Sequence, residues 1–347
     1  MSNRVFKNAG WIIGCKIIQS LISLVIGLIT ARYLGPSNYG VISYVSSVVA
    51  FALPIMQLGL NQTLVKEFVK SPEREGEILG TALFINILSS FFCMAGSISF
   101  ITIANAGEKE TIIVCVLYSL TLLFQATEMT QYWFQSKLLS KYSSLASLGA
   151  YVVVAIYKIF LLVTQKSIIW FALSNVLDYF LISIILIIIY IKLGNQKLTI
   201  SLRVGREMLS RSKYYIIPSL MVMIFQHTDR IMLKLMMNET ETGLYSAAIT
   251  CIGISGFVFA AVIDSARPTI LEVKDKNSEL YEKRVTQLYS IITFMSLSQS
   301  IVMTVLAKPL VYLLFGNEYL KSAGILLFHI MDLYEMSGFL QKESRNI

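Results

Sequence analysis

Charged residues are scarce in this sequence of 347 residues. Asp, Glu, Lys and Arg make up only 14% of the chain, whereas a soluble protein carries about 25%. Hydrophobic residues make up 55%, so there is too little polar side chain to cover a water-soluble globule of this size. The scarcity of charge therefore excludes an ordinary soluble protein and favours a membrane protein.

Motifs for catalysis and metal binding are also missing. The sequence has two histidines, far apart, and four cysteines inside apolar runs without metal-ligand or CxxC spacing. It has no Walker lysine loop, no HExxH and no GxSxG, and no loop is long enough for a soluble domain. We therefore expect no enzymatic activity, cofactor or metal ion. The net charge of +8 lies in the loops, where it indicates membrane orientation rather than nucleic-acid binding.

Long apolar runs dominate what is present. Runs of this length without period-2 alternation predict membrane-spanning helices, about ten in number. The predicted spans are 10–33, 40–60, 78–104, 111–135, 144–164, 167–192, 213–237, 243–265, 285–315 and a shorter run near 320–335.

Basic residues concentrate in alternate loops. They occur at the N-terminus and in the second, fourth, sixth and eighth loops, at positions such as Arg4, Lys70, Lys137, Arg206 and Lys274. By the positive-inside rule, these segments and the N-terminus are cytoplasmic. The first run carries Lys16 and lacks a cleavage site, so we expect a true span rather than a signal peptide.

The longest polar connector divides the predicted spans into two groups. Span one leads into Tyr39-Gly40 and span seven leads into Gly243-Leu244-Tyr245, which suggests a parallel internal repeat. The predicted division is an N-terminal six-helix bundle at 1–195, a basic cytoplasmic linker at 196–212, an incomplete C-terminal bundle at 213–335 and a polar tail at 336–347.

Several short motifs resemble the polysaccharide (O-antigen type) flippases of the multidrug/oligosaccharidyl-lipid/polysaccharide exporter superfamily. They cover nearly the whole chain in the expected order: Ala31-Arg32-Tyr33-Leu34-Gly35-Pro36 through Tyr39-Gly40, then Leu58-Gly59-Leu60, Asp229-Arg230-Ile231-Met232-Leu233, Glu241-Thr242-Gly243-Leu244-Tyr245-Ser246-Ala247 and Phe315-Gly316-Asn317-Glu318-Tyr319.

The resemblance implies a multi-pass protein of the bacterial inner membrane, with two bundles around a central cavity. It implies transfer of an undecaprenyl-diphosphate-linked oligosaccharide to the periplasmic leaflet by alternating access, for O-antigen or capsular polysaccharide assembly. A proton or sodium ion could drive transport, and polysaccharide polymerase and chain-length proteins could act beside it. Such proteins usually have twelve or more spans, so truncation, a frameshift or a naturally short second bundle would each account for this chain.

Ionisable side chains inside the predicted spans are the candidate site residues, because each is costly in lipid unless it faces a cavity or a partner. Cations neutralise a diphosphate and amides suit sugars, whereas acidic groups could bind a coupling ion or balance charge. The substrate-binding candidates are Lys16, Lys158, Arg230, Lys234, Gln125 and Gln226, and the ion-coupling candidates are Glu128, Asp178 and Asp229.

Structural explanations remain open for several of these residues. Lys16 could extend to the cytoplasmic interface beside a small-residue packing face, and Asp178 could form a buried ion pair with Lys158. Two other functions also remain open: a cation-coupled multidrug exporter of the same superfamily, and a truncated, non-functional remnant of a flippase.

Overall fold

The computed structural model describes residues 3–194, 196–254, 256–274 and 278–327, which form α-helices and no β-strand. The prediction of an all-α polytopic membrane protein is therefore confirmed. The helices are α1 Asn3–Gln57, α2 Leu64–Lys70, α3 Glu75–Ala104, α4 Lys109–Gln125, α5 Thr130–Ser136, α6 Ser140–Val163, α7 Ile168–Leu193, α8 Leu202–Ser212, α9 Ile216–Met236, α10 Glu239–Gly253, α11 Gly256–Lys274, α12 Ser278–Val305, α13 Ala307–Phe315 and α14 Ser322–Leu327.

Six helical segments within the described ranges have the length and apolar composition to cross a bilayer. They are Gly10–Gln57, Pro72–Ala104, Lys109–Ser136, Ser140–Val163, Ile168–Leu193 and Ser278–Val305. The first has 48 residues, or about 72 Å of helix, which is more than twice the hydrocarbon thickness. It therefore contains two spans, as the sequence predicted.

The break between these two spans lies at Gly35. Its φ of 73° and ψ of 170° are not helical, and a glycine adopts such a conformation without the steric cost that a Cβ would bring. Pro36 follows, and proline disfavours helical geometry in the residue before it. The Leu34-Gly35-Pro36 motif therefore ends the first span and starts the second.

The fourth predicted span is interrupted where a continuous helix was expected. α4 ends at Gln125, a 3-10 turn covers Ala126–Met129, and α5 begins at Thr130. A 3-10 turn has fewer residues per turn than an α-helix, so side chains before and after it no longer share one face. Gln125 at the end of α4 is buried and Gln135 near the end of α5 is exposed, so the polar residues of this span do not form one continuous face.

The contacts between loops show which loops lie at the same end of the N-terminal helices. At one end, Lys137 pairs with Glu75, Lys141 lies over the Trp11 ring at 4.8 Å, and Arg211 binds Glu67 at 2.7 Å. At the opposite end, the Tyr33 hydroxyl donates to the Lys166 carbonyl. The predicted even loops thus lie together, while their cytoplasmic location stays a prediction.

Two compact units account for the chain, residues 1–242 and 243–347. In the first unit, α9 packs against α1. In the second unit, Phe259 of α11 and Ile292 of α12 form a small apolar cluster, and Ser322 donates to the Leu244 carbonyl at 2.7 Å. The predicted division at 195 and 212 stays a prediction, and the predicted tail at 336–347 lies outside the described residues.

The second unit differs in detail from the predicted spans. The span predicted at 243–265 is divided between α10, which ends at Gly253, and α11, which begins at Gly256. The span predicted at 285–315 is divided between α12 and α13. The run near 320–335 starts as α14, and its residues 328–335 lie outside the described part of the chain.

The connector between α7 and α8 lies tightly against α3. Gln196 accepts a hydrogen bond from the Gly76 amide at 2.9 Å, and the Ser201 amide donates to Thr81 Oγ1 at 3.0 Å. A Cβ on Gly80 would lie 2.4 Å from the Thr199 carbonyl oxygen. Close packing of backbone on backbone therefore requires glycine here.

We expect Gly80→Ala to destabilise the protein, because its methyl group would displace the connector backbone. Overpacking of this kind costs about 1–3 kcal/mol, which should appear as a lower melting temperature in detergent. Gly96→Ala is the matched control, since Gly96 is also in α3 and has nothing within 4 Å of its Cβ position. Equal melting temperatures for the two variants would contradict the prediction.

Candidate functional site

A polar cluster joins three helices of the first unit inside the spanning region. Lys158 of α6 donates to Asn175 Oδ1 of α7 at 3.3 Å. The Asn175 amide then donates to the hydroxyl of Tyr118 of α4 at 2.8 Å and to the Phe171 carbonyl at 3.1 Å. The amide thus orients the lysine and the tyrosine toward one another.

Two carboxylates belong to the same cluster. Asp178 follows Asn175 by three residues on α7, and it interacts electrostatically with both Lys158 and Glu128. Its Oδ1 is buried and has no hydrogen-bond partner among the described residues. We name Tyr118, Glu128, Lys158, Asn175 and Asp178 the inner polar cluster.

The charge balance of the inner polar cluster is unusual for a spanning region. One lysine faces two carboxyl groups, so full ionisation leaves one negative charge uncompensated by the cluster. An unpaired charge is costly in a low-dielectric setting, which favours a bound cation or a proton as the missing partner. Asp178 Oδ1, which has no hydrogen-bond partner among the described residues, is an atom to which that cation or proton could bind. No group of three His, Cys, Asp or Glu side chains suited to a metal ion occurs in the described ranges.

The first span of α1 presents small and polar residues near this cluster. Ser23 interacts with Tyr151 of α6, and Tyr151 in turn lies near Asp178. Lys16 is exposed about two turns further toward the N-terminus, and no ion pair joins it to a carboxylate of the described chain. The structure thus leaves Lys16 accessible, and its role stays a prediction.

Arg230 of α9 lies in a second polar group. Its Nη1 is 3.3 Å from His227 Nδ1, and that ring nitrogen is 3.3 Å from Ser47 Oγ of α1. The Nε of Arg230 is buried and has no partner within the described part of the chain. A buried N–H donor without a partner is costly, so an anionic or carbonyl acceptor there would be stabilising.

Lys234, like Arg230 a predicted substrate-binding residue, makes different contacts from Arg230. Its ammonium contacts Glu108 at 2.9 Å and Glu239 at 3.0 Å, and its side chain is only 5% exposed. Glu108 also accepts from Thr111 and Asn105. Lys234 therefore links α9 to the connection between α3 and α4.

Acidification should weaken this link. Partial burial raises the pKa of Glu108, but hydrogen bonds from Lys234, Thr111 and Asn105 outweigh it, so the pKa falls below its ordinary value of 4.5. The stabilisation is therefore present above pH 4.5 and is lost as the pH falls through the lowered pKa. We expect the melting temperature of the wild type to fall more steeply below pH 4.5 than that of Glu108→Gln. Parallel profiles would contradict this expectation.

The remaining predicted residues are Gln125, Gln226 and Asp229. Gln125 is buried at the end of α4, and Gln226 is exposed on α9. Asp229 accepts from the Arg230 amide through Oδ1 at 2.7 Å. Among the substrate and ion candidates, the structure brings together Lys158, Asp178 and Glu128, and separately places Asp229 beside Arg230.

Sequence reasoning missed several partners. Glu108 was treated as part of a loop, and Tyr118 and Ser47 were not selected. Glu108 and Lys234 are 126 positions apart, so no local spacing relates them. The sequence does contain a signal for Asn175 as a site residue, because Asn175 shares a helix face with Asp178.

Two comparisons relate this chain to known proteins. The family model described as "Polysaccharide biosynthesis protein" matches residues 5–274. A solved structure titled as the inward-facing conformation of a multidrug resistance MATE family transporter of the MOP superfamily matches with a TM-score of 0.63 and 14% identity. The match covers 89% of this chain and 75% of that one. At this identity the likeness concerns the fold. A comparison with curated proteins gave no match.

Proposed function

Because this chain belongs to the polysaccharide biosynthesis protein family and has a MATE-like transporter fold, we propose that it translocates a lipid-linked oligosaccharide. The cargo is an undecaprenyl-diphosphate-linked glycan, moved from the cytoplasmic to the periplasmic leaflet of the bacterial inner membrane by alternating access. The products would serve O-antigen or capsular polysaccharide assembly.

The inner polar cluster is the observation that supports this proposal most directly. A diphosphate and a hydroxyl-rich glycan must cross about 30 Å of hydrocarbon. The Lys158 ammonium can neutralise phosphate, while the Asn175 amide and the Tyr118 hydroxyl provide the hydrogen-bonding groups that sugars require. Arg230, whose Nε has no partner in the described part of the chain, supplies a second cation on another helix.

The acidic members of the cluster suggest how transport is driven. Glu128 and Asp178 interact with each other and with Lys158. Binding of a proton or sodium ion would offset their excess negative charge, and arrival of the anionic cargo at Lys158 would favour release of the ion. In this proposal, both groups couple ion movement to cargo movement.

Complementation of a flippase-null strain tests the proposal. Expression of this chain should restore surface polysaccharide, whereas Asp178→Asn at equal membrane abundance should not. The assay uses several host glycans, so that the result does not depend on one sugar composition. Absence of restoration with every glycan, from a chain that reaches the membrane intact, would count against the proposal.

Cation-coupled drug export is the second candidate, favoured by the carboxyl and tyrosine content of the cluster. Tyr151 interacts electrostatically with Asp178, and Tyr179 interacts with both Glu128 and Asp178. Cationic drugs bind acidic, aromatic sites. The ammonium of Lys158 opposes cation binding. Drug resistance without a change in surface polysaccharide would favour this alternative.

A further inference from the structure

A groove between α3 and α8 lies outside both polar groups. It has a volume of about 680 Å³, and its lining is predominantly apolar. Phe84, Ile85 and Leu88 of α3 form one wall, and Leu209 of α8 forms part of the other. Phe84 and Leu88 are 44% and 50% exposed.

The groove runs along the spanning helix. Phe84 and Leu88 follow the start of α3 at Glu75 by nine and thirteen residues, or about 14 and 20 Å of helix. The groove therefore extends from the polar boundary into the depth of one leaflet. At that depth, the surrounding molecules are lipid acyl chains.

Cations mark the polar end of the groove. Arg206 of α8 and Lys213 line it, and neither forms an ion pair with a carboxylate of the described residues. The neighbouring cations differ, because Arg203 pairs with Glu207 and Arg211 pairs with Glu67. Two positive charges without an ion-pair partner in the described ranges thus lie where the apolar groove meets the interface.

α8 has the character of an interfacial helix. Val204, Gly205 and Met208 are buried on one face, while the arginines are exposed on another. Leu202, at the groove, is 84% exposed. An amphipathic helix with exposed apolar and basic residues binds at the boundary of headgroups and acyl chains, more strongly when the lipids are anionic.

We propose that this groove binds an anionic glycerophospholipid of the leaflet predicted to be cytoplasmic. Arg206 and Lys213 hold the headgroup phosphate, and one acyl chain lies along Phe84, Ile85 and Leu88. The pairing of basic residues with an apolar channel at matching depths carries the assignment. The bound lipid would fasten α8 to α3 without taking part in cargo transfer.

Photo-crosslinking of the full chain in nanodiscs tests this site. The probes are phosphatidylglycerol and phosphatidylcholine, each with a diazirine on one acyl chain, and adducts are mapped by peptide mass spectrometry. We expect phosphatidylglycerol adducts at residues 84–88, several-fold above phosphatidylcholine. The double variant Arg206→Gln/Lys213→Gln should lower that labelling on the order of tenfold, since each basic residue contributes to anionic lipid binding.

Two further variants separate the groove from general surface charge. Lys66→Gln/Lys70→Gln removes two exposed basic residues on α2 and should leave labelling at 84–88 unchanged. Leu88→Trp fills the groove without altering charge and should lower labelling. Equal labelling by both probes, or loss in the α2 control, would overturn the proposal. Displacement by undecaprenyl phosphate but not by unlabelled phosphatidylglycerol would also overturn it, since the groove would then hold a polyprenyl lipid.

Discussion

Replacement of Lys158 by Gln should abolish most translocation while leaving membrane abundance near the wild-type level. The ammonium donates to Asn175 at 3.3 Å and interacts with Asp178. In the proposed mechanism, its removal takes away one of the two cations that bind the diphosphate, and it leaves the two carboxyl groups of the inner polar cluster without the lysine that faces them. The contact between Lys158 and Asn175 is partly buried. Truncating one partner of a fully buried charge pair costs about 2–5 kcal/mol, so here we expect a loss of about tenfold or more in binding.

The measurement is the initial rate of translocation of a fluorescent undecaprenyl-diphosphate glycan in proteoliposomes. Lys158→Arg retains the charge and should retain partial activity. Lys166→Gln is the matched control, because it removes an exposed lysine just beyond the end of α6. A wild-type rate for Lys158→Gln at equal abundance would remove this residue from the proposed mechanism.

The double variant Lys158→Gln/Asp178→Asn distinguishes transport from a purely structural ion pair. If the pair only stabilises the fold, neutralising both partners should restore the activity and abundance lost in the single variants. If the residues bind cargo and ion, the double variant should fold and remain inactive. We expect the second result.

Replacement of Arg230 by Gln should lower translocation by about tenfold or more. The buried Nε of Arg230 has no partner among the described residues, so this donor is available to an anionic group, and guanidinium binds phosphate in a bidentate manner. Arg230→Lys keeps the charge without that geometry and should have intermediate activity. The same proteoliposome rate is measured.

Arg32→Gln is the control for Arg230, since Arg32 is exposed on α1 and its loss removes the same charge. Binding of the glycan lipid should weaken in Arg230→Gln, as a higher concentration for half-maximal rate. An unchanged rate and half-maximal concentration would exclude a contact between Arg230 and cargo.

Much of the fold was accessible from sequence because hydrophobicity and loop charge act locally. The α3, α6 and α7 spans follow from apolar runs, and Gly35-Pro36 marked a break through its own backbone preferences. The 3-10 turn at Ala126–Met129 carries no comparable signal, since none of its residues is a glycine or proline. This turn separates Gln125 from Gln135 in orientation, whereas a regular helix would have kept them on one face.

The site was only partly predictable, because residues that contact each other in it are far apart in the sequence. An ionisable residue in a span indicated that a partner or cavity exists, and this identified Lys158, Asp178 and Arg230 as candidates. It did not identify partners on other helices. Lys234 illustrates the limit, because its pairing with Glu108 depends on how α9 packs beside the connection between α3 and α4.

The docked connector restricts how α9 could rotate. Residues 196–201 are hydrogen-bonded to α3, and Ser212 donates to the Leu58 carbonyl at 2.8 Å. The segment 196–212 is therefore held in place at both ends. Rotation of α9 would therefore begin at the 3-10 turn Lys213–Tyr215. Because only three residues join the fixed segment to α9, a rotation of α9 cannot be taken up by a flexible linker. Small displacements of α9 and of the connector should therefore occur together.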